Sequence, residues 1–416
     1  MIIPSIDLMN GEAVQLKQGK EKVLTASESP AALLSKFNRY GQVAVIDLDA
    51  AITKKNEPPK DNIALIKQLC SQAEIRVGGG IRTVERGKAY LRAGAAKIII
   101  GTSAEPEFLM HFPPERVIVA LDHLKTGEIV DSGWTRETGD TLNDRAERLA
   151  PYCSGFLLTF VDDEGTMSGM ATDAVKTLKQ TMPRPITVAG GINTTQNAVD
   201  VLKTGVDAQV GMALYTGQLD LNDVVVNTAN FTKGENGLLP TIVQDAVTRQ
   251  ILMLAYSSPE SLRLALTQGK GIYYSRSRNE IWEKGLTSGN TQQLISCRLD
   301  CDNDALLFQV IQTGATCHTG QATCFADASF NIDKLYATLA HRKANLPPSS
   351  FSAQLFSNRK KLLRKILEEA FEVATAENRD ELVWEVADLF YMMSVLAVDE
   401  GIAWHDIVNE LGGRHR

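Results

Sequence analysis

Between Asp300 and Cys324 the chain gathers side chains suited to two kinds of metal ion. Asp300-Cys301-Asp302-Asn303-Asp304 alternates aspartates, and on an extended segment that alternation puts three carboxylates on one face, with Cys301 on the other. Hard carboxylate oxygens suit Mg2+. The softer thiolates of Cys301, Cys317 and Cys324 suit Zn2+, and three protein ligands leave a fourth position for water. An open zinc site of this kind lowers the pKa of water to about 7, enough for attack on a ring carbon such as an amidine at neutral pH. His318 follows Cys317 and is either a proton shuttle beside the metal or an exposed histidine bonded to a carbonyl. Two plainer readings stay open: Cys297 completing a closed four-cysteine site, and the aspartates forming a solvated turn.

A second acidic set lies near the C-terminus. Glu368, Glu369 and Glu372, then Glu385 and Asp388, are spaced by three or four, which puts each set on one helical face. Facing helices can turn such carboxylates inward to share Mg2+ and bind a polyphosphate, although acidic helical faces are commonly just solvated. Here Glu385 and Asp388 interrupt a strongly apolar stretch, Leu382-Val383-Trp384 to Leu389-Phe390-Tyr391.

The third set is at the beginning of the chain. Asp7 and Asp122 each follow apolar strand-like residues, and two carboxylates facing one another can act as general base and general acid when their surroundings separate their pKa values. Gly80, Gly101, Gly191 and Gly211 end other short apolar runs, where backbone N–H groups can approach phosphates at two opposite places. Gly78-Gly79-Gly80-Ile81 is echoed by Gly190-Gly191-Ile192, Gly101-Thr102 by Gly211-Met212, and Asp7 by Asp122. That recurrence implies two related half-barrels and a substrate with a phosphate at each end.

The elements that must position these groups follow from length and pattern. With 416 residues, 44% hydrophobic and 22% charged, the chain has room for two to four folded domains and fits neither disorder nor a coiled-coil rod. A net charge of -7 opposes polyanions, so no general nucleic-acid partner is expected, and phosphates must be held by local donors. Met1-Ile2-Ile3-Pro4 lacks a basic leader and Leu389–Val398 is too short to span a bilayer, which predicts no membrane partner and a cytoplasmic protein. Six cysteines, four of them clustered, suggest metal binding before disulfides. Strands are expected at Ile2–Ile6, Val43–Leu48, Ile75–Val77, Lys97–Ile100, Val117–Ala120, Gly155–Leu158, Ile186–Val188 and Ala208–Val210, alternating with helices as in a (β/α)8 barrel over 1–232. Residues 233–340 read as an α+β domain, 341–349 with Pro347-Pro348 as a linker, and 350–416 as an all-α domain.

Specific resemblances sharpen these expectations. Ile3-Pro4-Ser5-Ile6-Asp7-Leu8, Val45-Ile46-Asp47-Leu48-Asp49-Ala50, Val77-Gly78-Gly79-Gly80-Ile81-Arg82, Ile100-Gly101-Thr102, Leu121-Asp122, Ser132-Gly133-Trp134 and Gly211-Met212-Ala213-Leu214-Tyr215 resemble the phosphoribosylformimino-aminoimidazole-carboxamide ribotide isomerases over residues 1 to 220. The resemblance implies an Amadori rearrangement with Asp7 as base, Asp122 as acid, Thr159 positioning the substrate and Trp134 stacking on it from a loop. It also puts Gly80, Arg82, Gly101, Thr102, Gly191 and Gly211 around that substrate. The chain departs from the family pattern at Gln15 and Met212, where arginines are usual, at Glu164 in place of aspartate, and near Phe160.

Leu239-Pro240-Thr241-Ile242-Val243-Gln244-Asp245, Tyr274-Ser275-Arg276-Ser277-Arg278, Trp282-Glu283-Lys284-Gly285-Leu286-Thr287-Ser288-Gly289-Asn290 and Cys317-His318-Thr319-Gly320 resemble phosphoribosyl-AMP cyclohydrolase over 233 to 330. That implies an adenine ring opened between N1 and C6, zinc on Cys301, Cys317 and Cys324 from two chains of a dimer, Mg2+ on Asp300, Asp302 and Asp304, and Arg276 and Lys284 on phosphate. Lys365-Ile366-Leu367-Glu368-Glu369-Ala370-Phe371-Glu372 and Glu385-Val386-Ala387-Asp388-Leu389-Phe390-Tyr391 resemble phosphoribosyl-ATP pyrophosphatase over 350 to about 411. There the resemblance implies an oligomer, Mg2+ on Glu369, Glu372, Glu385 and Asp388, and Lys365 on phosphate; Met392 stands where histidine is usual. Together these imply consecutive steps of histidine biosynthesis acting on phosphoribosyl nucleotides, with a homodimer through the last two domains. Retained Asp7 and Asp122 point to a catalytic barrel, whereas Gln15 and Met212 point to a scaffold or a sensor of intermediates.

Overall fold

The computed structural model describes residues 1–17, 21–53, 60–123, 128–131, 136–160, 169–325, 330–346 and 350–414. Short apolar runs punctuated by glycine and capped helices close into a barrel. In chain order its elements are β1 (Ile2–Met9), β2 (Glu12–Lys17), β3 (Glu21–Thr25), α1 (Pro30–Phe37), β4 (Val43–Asp47), α2 (Leu48–Ile52), α3 (Ile63–Cys70), β5 (Ile75–Gly78), α4 (Val84–Arg92), β6 (Lys97–Ile100), α5 (Pro106–Leu109), β7 (Val117–His123), β8 (Glu128–Asp131), β9 (Arg136–Thr141), α6 (Leu142–Leu149), β10 (Gly155–Phe160), α7 (Thr172–Thr181), β11 (Ile186–Ala189), α8 (Thr195–Lys203), β12 (Asp207–Val210), α9 (Met212–Tyr215) and α10 (Leu221–Thr228). Eight parallel strands pair in the order β1, β4, β5, β6, β7, β10, β11, β12, and β12 returns to β1, so the sheet has no open edge. All eight expected strands are present. β2, β3, β8 and β9 are antiparallel extensions at the barrel's rim.

The internal repeat reaches down to single hydrogen bonds. After Gly79-Gly80, Thr83 caps α4 by accepting from Arg86 N at 3.3 Å; after Gly190-Gly191, Thr194 caps α8 by accepting from Asn197 N at 3.2 Å. Each such cap stabilises its helix by about 1 kcal/mol and fixes where the glycine turn ends. Inside the barrel, Ile46, Ile99, Ile118, Ala120, Leu157 and Ala189 form one apolar layer. Beneath it lies a polar one, where buried Arg76 donates to Thr187 Oγ1 at 3.1 Å and pairs with Asp207 at 3.6 Å.

The second domain carries β13 (Leu239–Asp245), β14 (Ile251–Ser257), α11 (Pro259–Gln268), β15 (Ile272–Ser275), β16 (Glu280–Glu283), β17 (Gln292–Leu299) and β18 (Leu306–Gln312). β14, β13, β18 and β17 form a four-stranded sheet, and β15 pairs with β16. Its apolar residues, including Leu262, Leu266, Tyr273 and Phe308, are continuous with the barrel's core cluster, and the two belong to one compact unit spanning Met1–Gln244 and Ile251–Phe325.

The remaining compact unit comprises Asp245–Gln250 and Ala326–Leu411. It holds α12 (Ile332–Asn345), α13 (Phe351–Phe356), α14 (Arg359–Thr375) and α15 (Arg379–Glu400), and α16 (Trp404–Arg414) completes the chain's helices. Leu339, Leu355, Leu362, Met392, Val395 and Val398 form its core. The expected division at 340 and linker at 341–349 differ from this arrangement. Helix α12 runs through Asn345, and Leu339 at its centre buries against α13, α14 and α15, because its apolar stripe needs the same cover as theirs. Among the described residues no helix is long and apolar enough to cross a membrane.

Candidate active sites

At the carboxyl ends of the barrel strands lies a cavity of about 390 Å3. Asp7, Gly80, Arg82, Gly101, Thr102, Asp122, Thr159, Gly191 and Gly211 all line it; Trp134 and Glu164 lie outside the described residues. β1 and β7 are the first and fifth barrel strands, so Asp7 and Asp122 enter from opposite sides. Burial pushes the Asp7 carboxyl up to about 6, against the opposing effect of Ser5, whose hydroxyl donates to Asp7 Oδ1 at 2.8 Å. Ser5 sits two residues earlier on the same strand face, and its carbonyl accepts from Tyr215 OH at 3.1 Å. Burial, then the neighbouring Asp7, raises the Tyr215 phenol.

The glycine turns are sterically required. Gly79 and Gly80 have φ of +100° and +63°, and a Cβ on them would stand 2.3 Å from the Asp47 and Ala50 carbonyl oxygens. Asp47 is itself pinned: it accepts from Asn62 N at 2.9 Å, Asn62 Nδ2 at 2.8 Å and Tyr90 OH at 2.8 Å. Arg82 lines the cavity while donating to the carbonyls of Ala51 at 2.7 Å and Thr53 at 3.0 Å. Gln15 is buried with Nε2 on the Val14 carbonyl at 2.9 Å, and its Oε1 lies 2.8 Å from where a Cβ on Gly211 would be. The last barrel strand thus ends against a neutral amide.

In the second domain Asp300, Asp302 and Asp304 bring carboxylate oxygens within 4.8 Å of one another. They do so on a turn, which corrects the extended segment expected. Asp300 Oδ1 accepts from Asp304 N at 2.9 Å and Ala305 N at 3.1 Å, and Asn303 takes a φ of +63°. Cys301 is exposed, and its sulfur lies 3.9 Å from Asp302 Oδ1 rather than on an opposite face. The sequence offered no hint of Lys233, whose ammonium reaches Asp302 at 2.6 Å and Asp304 at 3.3 Å across 69 residues.

Cys317 and Cys324 are neighbours. Hydrogen bonds from Thr319, its hydroxyl 3.2 Å from the sulfur, lower the Cys317 thiol, whereas burial and then Cys317 raise that of Cys324. Lys284 is buried beside them; burial lowers its ammonium, opposed by the two cysteines. His318 Nδ1 stands 3.8 Å from Cys317 Sγ. The three candidate thiols do not form one compact group among the described residues. Cys297 is in the core, where burial pushes its thiol up, so it is not poised as a fourth ligand. Arg276 lies 3.7 Å over the Tyr256 ring and lines a separate cavity of about 220 Å3 with Glu235, Asn236 and Tyr274.

In the helical unit, Glu369 of α14 and Glu385 and Asp388 of α15 place carboxylates within 4.8 Å of one another, and Glu369 is buried. The Glu372 carboxyl, raised by burial and then by Glu369 and Glu385, is not one of the three that come within 4.8 Å of one another. Lys365 pairs with Glu368 at 2.8 Å and Glu369 at 2.9 Å, which raises its ammonium. The three carboxylates, on two packed helices, could hold a cation, with Lys365 beside them.

Comparison with known proteins follows the same three divisions. The histidine biosynthesis protein family matches residues 1–220, phosphoribosyl-AMP cyclohydrolase 253–326 and phosphoribosyl-ATP pyrophosphohydrolase 332–415. The histidine biosynthesis bifunctional protein HisIE of Caldanaerobacter subterraneus is 45% identical over 194 residues, 44% of this chain and 95% of that protein. Its Bacillus subtilis counterpart is 42% identical over 194 residues, 44% of this chain and 93% of that protein. The histidine biosynthesis trifunctional protein of Neurospora crassa is 36% identical over 294 residues, 66% of this chain and 33% of that protein. The chain therefore belongs to the histidine-biosynthesis proteins, with a barrel of that family followed by cyclohydrolase and pyrophosphohydrolase domains, and is a hydrolase at both of those steps.

Proposed function

We propose that the chain performs three steps on phosphoribosyl nucleotides: the helical domain releases pyrophosphate from phosphoribosyl-ATP, the second domain opens the adenine ring of phosphoribosyl-AMP, and the barrel isomerises the product. The observation that carries the third step is the pair Asp7 and Asp122 on opposite strands of one cavity, with Asp7 half-buried and bonded to Ser5. An acid held near pH 6 suits proton abstraction at neutral pH, with Asp122 returning a proton on the opposite side. Gly80 and Gly101 on one half, and Gly191 and Gly211 on the other, offer backbone donors to two phosphates.

The donor sets fit two metals. Cys301, Cys317 and Cys324 are free thiols with an open position when gathered, and zinc held there would supply Lewis acidity toward water. On this reading His318 moves a proton beside it, and Arg276 and Lys284 meet phosphate. Asp300, Asp302 and Asp304, and separately Glu369, Glu372, Glu385 and Asp388, fit Mg2+ by their hard oxygens, and Lys365 steadies the polyphosphate. A homodimer brings Cys301 of one chain to Cys317 and Cys324 of the other. Exposed apolar pairs favour it: Ile242 opposite Leu254 on the sheet, and Leu367 and Phe371 on α14. Free thiols at all six cysteines suit a reducing compartment, the cytoplasm.

The deciding experiment is isomerase turnover by the full-length protein supplied with the cyclohydrolase product, beside Asp7→Asn. Turnover abolished by the substitution supports three activities. Equal rates in both, with the two hydrolases intact, would leave a barrel that serves as scaffold or sensor, a reading favoured by the neutral Gln15 against Gly211.

A further inference from the structure

Several polar contacts join the barrel to the cyclohydrolase domain and serve no step proposed above. Glu74 and Gln42 immediately precede β5 and β4, at the end of the barrel opposite the cavity. Glu74 Oε2 accepts from Arg298 Nη2 at 2.5 Å, its other oxygen accepts from Gln42, and Gln42 Oε1 accepts from Arg76 Nε at 2.5 Å inside the barrel. Burial opposes charge on Glu74, but Arg298, Gln42 and Arg76 outweigh it and hold its carboxyl below the usual range. Arg39 donates to the Leu266 carbonyl at 2.7 Å, and the approach depends on Gly269, where a Cβ would stand 2.6 Å from the Arg39 guanidinium.

The Glu74–Arg298 pair leads to the aspartate turn. Arg298 lies two residues before Asp300. Asn230, just past the barrel's last helix, donates its N–H to the Asn303 carbonyl at 2.6 Å, at the turn's tip. Lys233, three residues on, bridges Asp302 and Asp304. The base, tip and carboxylates of the turn are therefore each held by a residue of the barrel or of the segment leaving it.

We propose that the barrel is the platform that sets the conformation of the Asp300–Asp304 turn, with Glu74, Arg298 and Asn230 as positioning residues for the cation site of the neighbouring domain. On this reading the barrel supports cyclohydrolase chemistry whether or not it isomerises anything. The proposal rests on the assignment of Asp300, Asp302 and Asp304 as divalent-cation ligands.

The test uses the full-length protein, Glu74→Ala, Arg298→Ala and the double variant, with Mn2+ as the probe. Amide hydrogen exchange of the peptide spanning residues 298–306 is followed as Mn2+ is titrated. Each single substitution is expected to move the midpoint of protection to about tenfold higher Mn2+, the size of effect common for groups that orient metal ligands. The double variant should be no worse than either single one, because the pair acts as a unit. Pyrophosphate release by the helical domain should be unchanged, which separates a local effect from misfolding. Midpoints within twofold of wild type, or two additive effects, would overturn the proposal. If Mn2+ leaves the wild-type peptide untouched, the cation assignment fails, and the platform then stands or falls on metal-free exchange of the same peptide. That exchange should quicken about fivefold in Glu74→Ala if the turn is held from the barrel, and an unchanged rate would sink it.

Discussion

The barrel mouth and the cysteine site solve the same problem, placing reactive groups with accuracy, in opposite ways. Asp7 is half-buried on a strand of a closed sheet and bonded to a serine on its own strand face, and the Gly79-Gly80 turn of the same cavity has no room for a Cβ. One chain supplies the whole arrangement. Cys301 by contrast is exposed on a turn, while Cys317 and Cys324 are neighbours elsewhere in the domain. A carboxylate pair can be held by a fold alone, whereas thiols that wait for a metal can be left to a partner to complete. The barrel site should therefore belong to each chain, and the thiol site to the assembly.

The hardest blow to this contrast comes from single residues on each side. Asp7→Asn should lower isomerase turnover by about 10³ to 10⁴, the upper range for a general base, with zinc content and both hydrolases unchanged. Zinc analysis and the three assays on one preparation read it. Cys317→Ser should abolish bound zinc and ring opening, as should Cys301→Ser. Mixing these two dead proteins and allowing subunit exchange should then restore about a quarter of wild-type ring opening, because half of the dimers are mixed and each has one intact site. No recovery after verified exchange would mean that each chain builds its own zinc site.

Much of this was readable in the order of residues. The eight strands, the paired glycine turns and the threonine caps that follow them are short-range patterns, and Ser5 beside Asp7 is a two-residue strand repeat. The acidic face shared by Glu369, Glu385 and Asp388 was visible as helical spacing. What escaped depended on distance along the chain. Lys233 meets Asp302 across 69 residues and Arg298 meets Glu74 across 224, and no local periodicity encodes either pair. The aspartate turn was misjudged as extended because alternation looks alike in a strand and in a turn closed by Asp300 onto its own backbone. The linker was expected from 341 because Pro347-Pro348 marks a break, whereas α12 continues to Asn345.

Smaller effects sharpen the contrast. Glu385→Gln should reduce pyrophosphate release by about 10² and weaken Mn2+ binding to the helical domain, without changing the other two rates. Below pH 6, isomerase kcat/KM should fall about tenfold per unit of pH, since Asp7, pushed up to about 6, must be ionised to act as base. The same shift has a stability sign. A carboxyl whose folded pKa is raised favours the folded state when protonated, and this contribution is lost as pH rises from about 4 to about 6. Asp7→Asn should therefore be more stable than wild type above pH 6, by on the order of 2 to 3 kcal/mol, measured by urea unfolding at two pH values. Glu74 has the opposite sign: its depressed carboxyl adds stability above its unfolded value near 4.5, lost as pH falls through its lower folded value. The least effect expected is a slightly earlier acid transition in Glu74→Ala, followed by tryptophan fluorescence.

The separation of Glu74 from Arg298 also sets a schedule. At roughly 5 to 20 residues per second of synthesis, the 224 residues between them take about 11 to 45 seconds to emerge. For most of that interval the barrel is still being made, since α10 ends at Thr228, and over the last stretch the finished barrel waits with Glu74 and Gln42 still lacking Arg298. Each newborn chain thus passes through a half-made stage in which its oldest domain is the one in need of protection.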